Sequence, residues 1–152
     1  TTEIYTLSLH DALPIYSIHT DGGARGNPGP AAIGVVIEND VDGQVVAEFG
    51  KTIGETTNNT AEYQAVIEAL SYLLRPDMRE RGSIQSISFY LDSTLVVNQL
   101  NGLYKIKQPH LRELFMKVRV LEEQVGGQIH YAAIPREQNT RADFFVNKAL
   151  DA

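Results

Sequence analysis

The stretch YSIHTDGGARGNPGPAAIGVVIENDVDGQVVAEFGKTI, Tyr16 to Ile53, decides the fold. Tyr16 to Asp21 reads as a strand that runs into a Gly/Pro-rich turn, Gly22 to Pro30. Ala32 to Glu38 is a second strand and Gln44 to Ile53 a third. The short Asp40–Gly43 link between these two signals a hairpin, so the three strands form an antiparallel meander. Outward from it, Asn59 to Leu74 has helical spacing, with Ala61, Ala65, Val66, Ala69, Leu70 and Leu73 on one face and Pro76 beyond its end. Ile84 to Leu91 is an apolar fourth strand, and Ser93 to Asn101 a short helix closed by Gly102. Pro109 opens the next helix at its first position, and Leu111, Leu114, Phe115, Val118, Leu121 and Val125 form its stripe. Gly127 to Ile134 is a fifth strand, and Asn139 to Leu150 a last helix with Ala142, Phe145, Val146 and Ala149 inward. The order is βββαβααβα. Helical crossovers join the third strand to the fourth and the fourth to the fifth. This is the signature of an α/β protein with a mixed five-stranded sheet and helices on its faces.

The 152 residues fit one domain, long enough to bury a core without staples. Hydrophobic residues make up 43% and charged residues 21%, the balance of a packed globular chain. With no cysteine, disulfides and thiolate metal sites are excluded. No apolar run reaches the roughly 18 residues of a membrane helix, so a cytoplasmic monomer with no membrane partner is expected. The net charge of −6 counts against generic polyanion binding. The charge is uneven, however: Tyr104 to Lys148 holds eight Lys/Arg against five acids, a local +3. The first 15 residues, TTEIYTLSLHDALPI, match neither a signal peptide nor a regular element, and Thr6 to Ile15 resembles a translated sequencing adaptor. Residues 1–15 are therefore expected to be a non-native leader, with one domain over 16–152.

The acids fall where ligand chemistry is expected. Asp21 closes the first strand and Asp92 the fourth, and ligand sites of open α/β sheets lie beyond strand carboxyl ends. Two carboxylates delivered there by neighbouring strands cannot both stay charged without a cation. Glu62, in the first turn of the first long helix, and Asp143, early in the last, can turn toward the same point. Four carboxylates without His or Cys make a hard-oxygen set suited to Mg²⁺ or Mn²⁺. Two such ions activate a water and stabilise a leaving oxygen of a phosphodiester. Each acid also has an ordinary explanation. Asp21 can be a turn residue before two glycines, and Glu62 the partner of Asn59 in a capping box. Asp92 with Ser93 can cap the short helix, and Asp143 can be a solvated charge near a helix N-terminus.

Four blocks, TDGGARGNPGPAAIG (Thr20–Gly34), TTNNTAEYQAVIEAL (Thr56–Leu70), LDSTLVVNQLNG (Leu91–Gly102) and PREQNTRADFFVNKALD (Pro135–Asp151), resemble the signature blocks of the type 1 ribonuclease H family, in family order. The resemblance runs from about Tyr16 to Asp151. It implies helices on both faces of the sheet and a two-metal endonuclease that cuts the RNA strand of an RNA–DNA hybrid, leaving 5′-phosphate and 3′-hydroxyl ends. It implies a catalytic and metal-binding set of Asp21, Glu62, Asp92 and Asp143, with two Mg²⁺ ions for which Mn²⁺ can substitute. Asn58 and Asn59 match the pair that contacts RNA near its 2′-hydroxyls, and an Asn amide can meet a hydroxyl as donor and acceptor. Asn27 and Thr57 match a pocket for a DNA-strand phosphate. Gly22, Gly23, Ser93 and Arg136 complete the expected nucleic-acid contacts, and Arg25, Lys105, Lys107 and Arg141 are candidate phosphate partners. The chain departs from many members in two places. Asn101 to Pro109 is short where some relatives carry a basic protrusion, and Ile134 to Asn139 has no histidine, with Arg136 or Glu137 as its replacement. His19, His110 and His130 read as structural. Two other readings stay open: a ribonuclease H-like module that holds hybrid without cutting it, and a nuclease of the same fold acting on double-stranded RNA.

Overall fold

The computed structural model describes residues 13–152. The expected leader lies outside the described residues as far as residue 12. The first strand opens at Ile15, one residue before its expected start, and the carbonyl of Pro14 accepts a hydrogen bond from the N–H of Gln85.

Five strands, β1 (Ile15–Ala24), β2 (Gly29–Asn39), β3 (Val45–Thr56), β4 (Ser86–Leu91) and β5 (Gln128–Ala133), form one sheet in the order β3-β2-β1-β4-β5. The first three are antiparallel, while β1–β4 and β4–β5 are parallel. The helices are α1 (Asn58–Leu73), α2 (Pro76–Arg79), α3 (Thr94–Leu100), α4 (Pro109–Val125) and α5 (Thr140–Asp151). The mixed α/β sheet is as the sequence implies.

Several boundaries differ for reasons of pairing. The expected turn from Gly22 to Pro30 is mostly strand. β2 supplies Ile33, Ala32 and Ala31 as partners for Gly22, Gly23 and Ala24, which leaves 25–28 as the loop. β4 starts at Ser86 rather than Ile84, where β1 begins to supply a parallel partner, Ile15. Pro76 does more than follow α1: it occupies the first turn of α2, a short element that the sequence reading missed. Among the described residues no helix is long and apolar enough to cross a membrane.

Burial shows which strands are sandwiched. Residues 31–37 of β2 are buried without a break, as expected of a strand covered on both sides. β4 alternates, with Ile87, Phe89 and Leu91 inward, as expected of a strand covered on one. The glycines of the sheet report the helices directly. A Cβ on Gly22 would overlap the backbone of Ala61 in α1, whereas one on Gly23 would point at Val146 in α5. Consecutive strand residues face opposite ways, so α1 and α5 lie on opposite faces. Gly34 and Gly50 are cross-strand partners, and a Cβ on either would collide with the α5 backbone, at Ala142 and Phe145 respectively. Together they form a flat seat that lets α5 lie close to the sheet. Phe145, expected in the core, is half-buried on this seat, and Phe144 is exposed.

Gly34→Ala is expected to force α5 off its seat. Overpacking of this kind costs roughly 1–3 kcal/mol and should appear as a lowered Tm in thermal unfolding followed by circular dichroism. An unchanged Tm would mean that α5 does not depend on that close approach.

Candidate active site

Asp21 lies near the end of β1, at the centre of the sheet, and Asp92 directly follows β4, the parallel neighbour of β1. Glu62 lies in the second turn of α1. It reaches the strand ends because Gly22 lets the α1 backbone touch β1. One carboxylate oxygen from each of Asp21, Glu62 and Asp92 lies within 4.8 Å of the others. Asp143, in the first turn of α5, lines the same cleft. All four acids named from the sequence line one cleft, three of them with oxygens close enough to share a cation.

The ordinary explanations of Glu62 and Asp92 do not hold here. The N-cap of α1 is Thr57, whose hydroxyl accepts from the N–H of Thr60; Asn59 is inside the helix, and no capping box joins it to Glu62. Glu62 is only 6% exposed, and its Oε2 is buried with no partner. Ser93 alone caps α3, accepting from the N–H of Val96 at 3.3 Å, which leaves the Asp92 carboxylate available.

The cluster is electrostatically frustrated. Burial, and then the charges of Asp92 and Asp143, push the Asp21 carboxyl up to about 8. Burial, followed by Asp21 and Asp92, holds Glu62 well above the usual carboxylate range. A hydrogen bond from the Gly22 backbone opposes both shifts without cancelling them. A set of oxygens that resists ionisation alone, with one buried oxygen unpartnered, fits a hard divalent cation.

The cleft beside the acids is lined by Gly22, Gly23, Asn58, Asn59, Ser93 and Arg136, as expected, and by Arg25 and Asn147. Asn27 and Thr57 sit at its margin, not in its lining. Asn27 Oδ1 accepts from the N–H of Asn58 at 3.0 Å, and Asn58 Oδ1 accepts from the N–H of Ala24 at 2.8 Å. The two amides thus lock the loop at 25–28 to the start of α1, and their NH₂ groups are left as donors. Arg25 is held by an ion pair with Asp151 at 2.7 Å. Arg141, a candidate phosphate partner, is instead committed to Glu38 and Glu48 on the adjacent strands β2 and β3. Lys105 and Lys107 are exposed in the loop before α4 and do not line the cleft. His19 stacks on Tyr90 with centroids 5.0 Å apart, in keeping with a structural role. The sequence reading missed Asn147, whose amide donates to the carbonyl and to Oδ2 of Asp143 at 3.2 and 3.3 Å. Its spacing of four residues from Asp143 on one helix was the available signal.

Residues 19–149 match the reverse transcriptase-like family. The "Bifunctional protein Rv2228c" of Mycobacterium tuberculosis is 40% identical over 135 residues, covering 89% of this chain and 35% of that protein. A protein named ribonuclease H from Verminephrobacter eiseniae is 43% identical over 150 residues, covering 88% of this chain and 89% of that one. The crystal structure of LC11 ribonuclease H1 in complex with an RNA/DNA hybrid superposes with a TM-score of 0.79 at 44% identity, covering 90% of this chain and 96% of that one. The chain therefore spans about a third of the length of the mycobacterial relative and most of the length of the other two.

Metal-free protein should reveal the frustration through pH. Asp21 has a folded pKa raised from 3.8 to about 8, so the folded state binds more protons than the unfolded chain across that interval. The associated stability is complete below about pH 4 and is lost as the pH rises toward 8, with a limiting slope of about 1.4 kcal/mol per pH unit for one group. Calorimetry with chelator should show the Tm of the wild type falling relative to that of Asp21→Asn between pH 5 and 8. Added Mg²⁺ or Mn²⁺ should raise the wild-type Tm more at pH 8 than at pH 5. Parallel pH curves for the two proteins would contradict this account.

Proposed function

Because the chain belongs to the type 1 ribonuclease H family, we propose that it is an endoribonuclease that hydrolyses the RNA strand of RNA–DNA hybrids, leaving 5′-phosphate and 3′-hydroxyl ends, with two Mg²⁺ ions for which Mn²⁺ can substitute. The observation that carries this reading is the meeting of Asp21, Glu62 and Asp92, with Asp143 beside them, in a cleft whose other polar groups are amides, a hydroxyl, backbone and the guanidinium groups of Arg25 and Arg136. Such surroundings suit a polyanion with sugar hydroxyls.

Asp21, Glu62, Asp92 and Asp143 would hold the metal. When bound, it supplies the charge that activates water and stabilises the leaving oxygen of the phosphodiester. The rest is done by the chain. Gly22 keeps β1 and α1 in contact, so that the Asp21 and Glu62 carboxylates are fixed by two rigid elements. Asn58 and Asn59 present amides along the cleft. Asn58 spends its oxygen on the Ala24 N–H and so meets the RNA as a donor, and either amide can recognise a 2′-hydroxyl. The Ser93 oxygen accepts from Val96, leaving its hydrogen to donate. Arg136 contributes a cation on the turn before α5. Without a basic protrusion, hybrid binding is expected to be sensitive to salt.

The test is cleavage of a labelled RNA–DNA hybrid with Mg²⁺, beside the matching RNA duplex, DNA duplex and single strands. Cutting confined to the RNA strand of the hybrid is expected, abolished by chelator, by Asp92→Asn and by Glu62→Gln. Glu62→Gln should nevertheless keep or raise the Tm of the metal-free protein, since it removes a buried ionisable group with no counter-charge. A folded protein that binds hybrid and cuts nothing with either ion would overturn the proposal in favour of a binding module. Equal cutting of the RNA duplex would move the substrate assignment to double-stranded RNA.

A further inference from the structure

Asn139 stands at the start of α5 and is 1% exposed. An asparagine there ordinarily turns its side chain back to cap the helix, but this one makes no side-chain cap bond. Its Nδ2 donates across the molecule to the carbonyl of Thr20 at 2.8 Å, the residue before Asp21. Its own carbonyl accepts from the N–H of Asp143 at 3.1 Å. One residue therefore ties the backbone beside Asp21 to the backbone of Asp143 itself.

The tie opposes a specific force. Asp143 and Asp21 line the same cleft, and like charges side by side repel. That repulsion pushes the first turn of α5 away from the end of β1. The other anchors of α5 act on other strands or further along the helix: Gly34 and Gly50 seat it on β2 and β3, Val146 further along faces Gly23 of β1, and Arg141 pairs with acids of β2 and β3. Among the side-chain hydrogen bonds of the described residues, that of Asn139 is the one joining the start of α5 to β1. As a device for stability alone it is a poor choice, since its Oδ1 is buried without a partner and such an atom opposes folding.

We propose that Asn139 is a positioning residue of the site: it holds Asp143 at a fixed place against Asp21, and so sets how well the four carboxylates bind a divalent cation. The proposal rests on the ribonuclease reading for its catalytic consequence, while its metal-binding consequence stands apart from that reading.

Two measurements on the full chain test it. Mn²⁺ binding is followed by titration calorimetry well below the Tm, and hybrid cleavage is resolved into kcat and KM. Asn139→Ala is expected to weaken Mn²⁺ binding and lower kcat by about 10- to 100-fold, the usual effect of losing a group that orients metal ligands. KM for hybrid should hold, because Asn139 is buried beneath the cleft and is absent from its lining. Asn139→Leu keeps the branched shape of the side chain but has no hydrogen to offer the Thr20 carbonyl, so it should show the same losses; it decides the matter if the alanine variant does not fold. Val118→Ala, a core change in α4, controls for lowered stability and should leave Mn²⁺ affinity and kcat unaltered. If the Asn139 variants lose only Tm and keep Mn²⁺ affinity and kcat, Asn139 is a structural tie and the proposal is overturned. If the wild type fails to cut hybrid while Asn139→Ala still weakens Mn²⁺ binding, the ribonuclease reading fails and the positioning role stands.

Discussion

Carboxylates that repel one another are held together by the rest of the molecule. Asp21, Glu62 and Asp92 present oxygens within 4.8 Å of one another, and two of the three are nearly buried. Left to electrostatics they would separate or take up protons, as the raised pKa values of Asp21 and Glu62 record. Separation is prevented by mounting the acids on rigid elements that cannot move independently. Asp21 is on the central strand, bonded on both sides. Asp92 leaves the end of the neighbouring parallel strand, and Glu62 and Asp143 are on helices pressed to opposite faces of the sheet.

Close approach of backbones makes this rigidity possible. Glycine appears where a helix must touch a strand: Gly22 under α1, and Gly34 with Gly50 under α5. Each removes a side chain that would hold the helix off by the width of a methyl group, a displacement sufficient to take a carboxylate out of reach of its neighbours. The β2 core is buried on both faces for the same reason. Around this frame the polar side chains are mostly committed to one another. Asn27 and Asn58 interlock the first loop with α1, Arg141 bridges Glu38 and Glu48, and Asn139 joins α5 to β1. The cleft therefore meets its ligand with groups already oriented, which reduces the ordering cost of binding.

The net charge of −6 is less at odds with the proposed nucleic-acid partner than its size implies. Part of the negative charge is concentrated in the carboxylate cluster, where each divalent cation held would offset two charges.

The sequence by itself determined the order of the strands and of every helix but the one-turn α2 and a 3₁₀ turn before α5, the antiparallel first half of the sheet and the four candidate acids. Alternation and helical spacing are local, and strand ends and helix starts mark where chemistry-bearing residues are delivered. The glycine-rich stretch was legible as special, but it read as a turn, because the pairing that makes Gly22 to Ala24 strand depends on β2. Tertiary structure decided the rest. It made Glu62 a buried, unpaired acid rather than half of a capping box, and gave the cap of α1 to Thr57. It withdrew Arg141 from the cleft into ion pairs with strands roughly a hundred residues away in the chain. It turned Asn139 from an expected helix residue into a clamp across 119 positions of sequence. A side chain's type is written in the chain, but its partner is fixed by which distant backbone arrives beside it. Only the packing of helices on glycine-flattened strands determines that arrival.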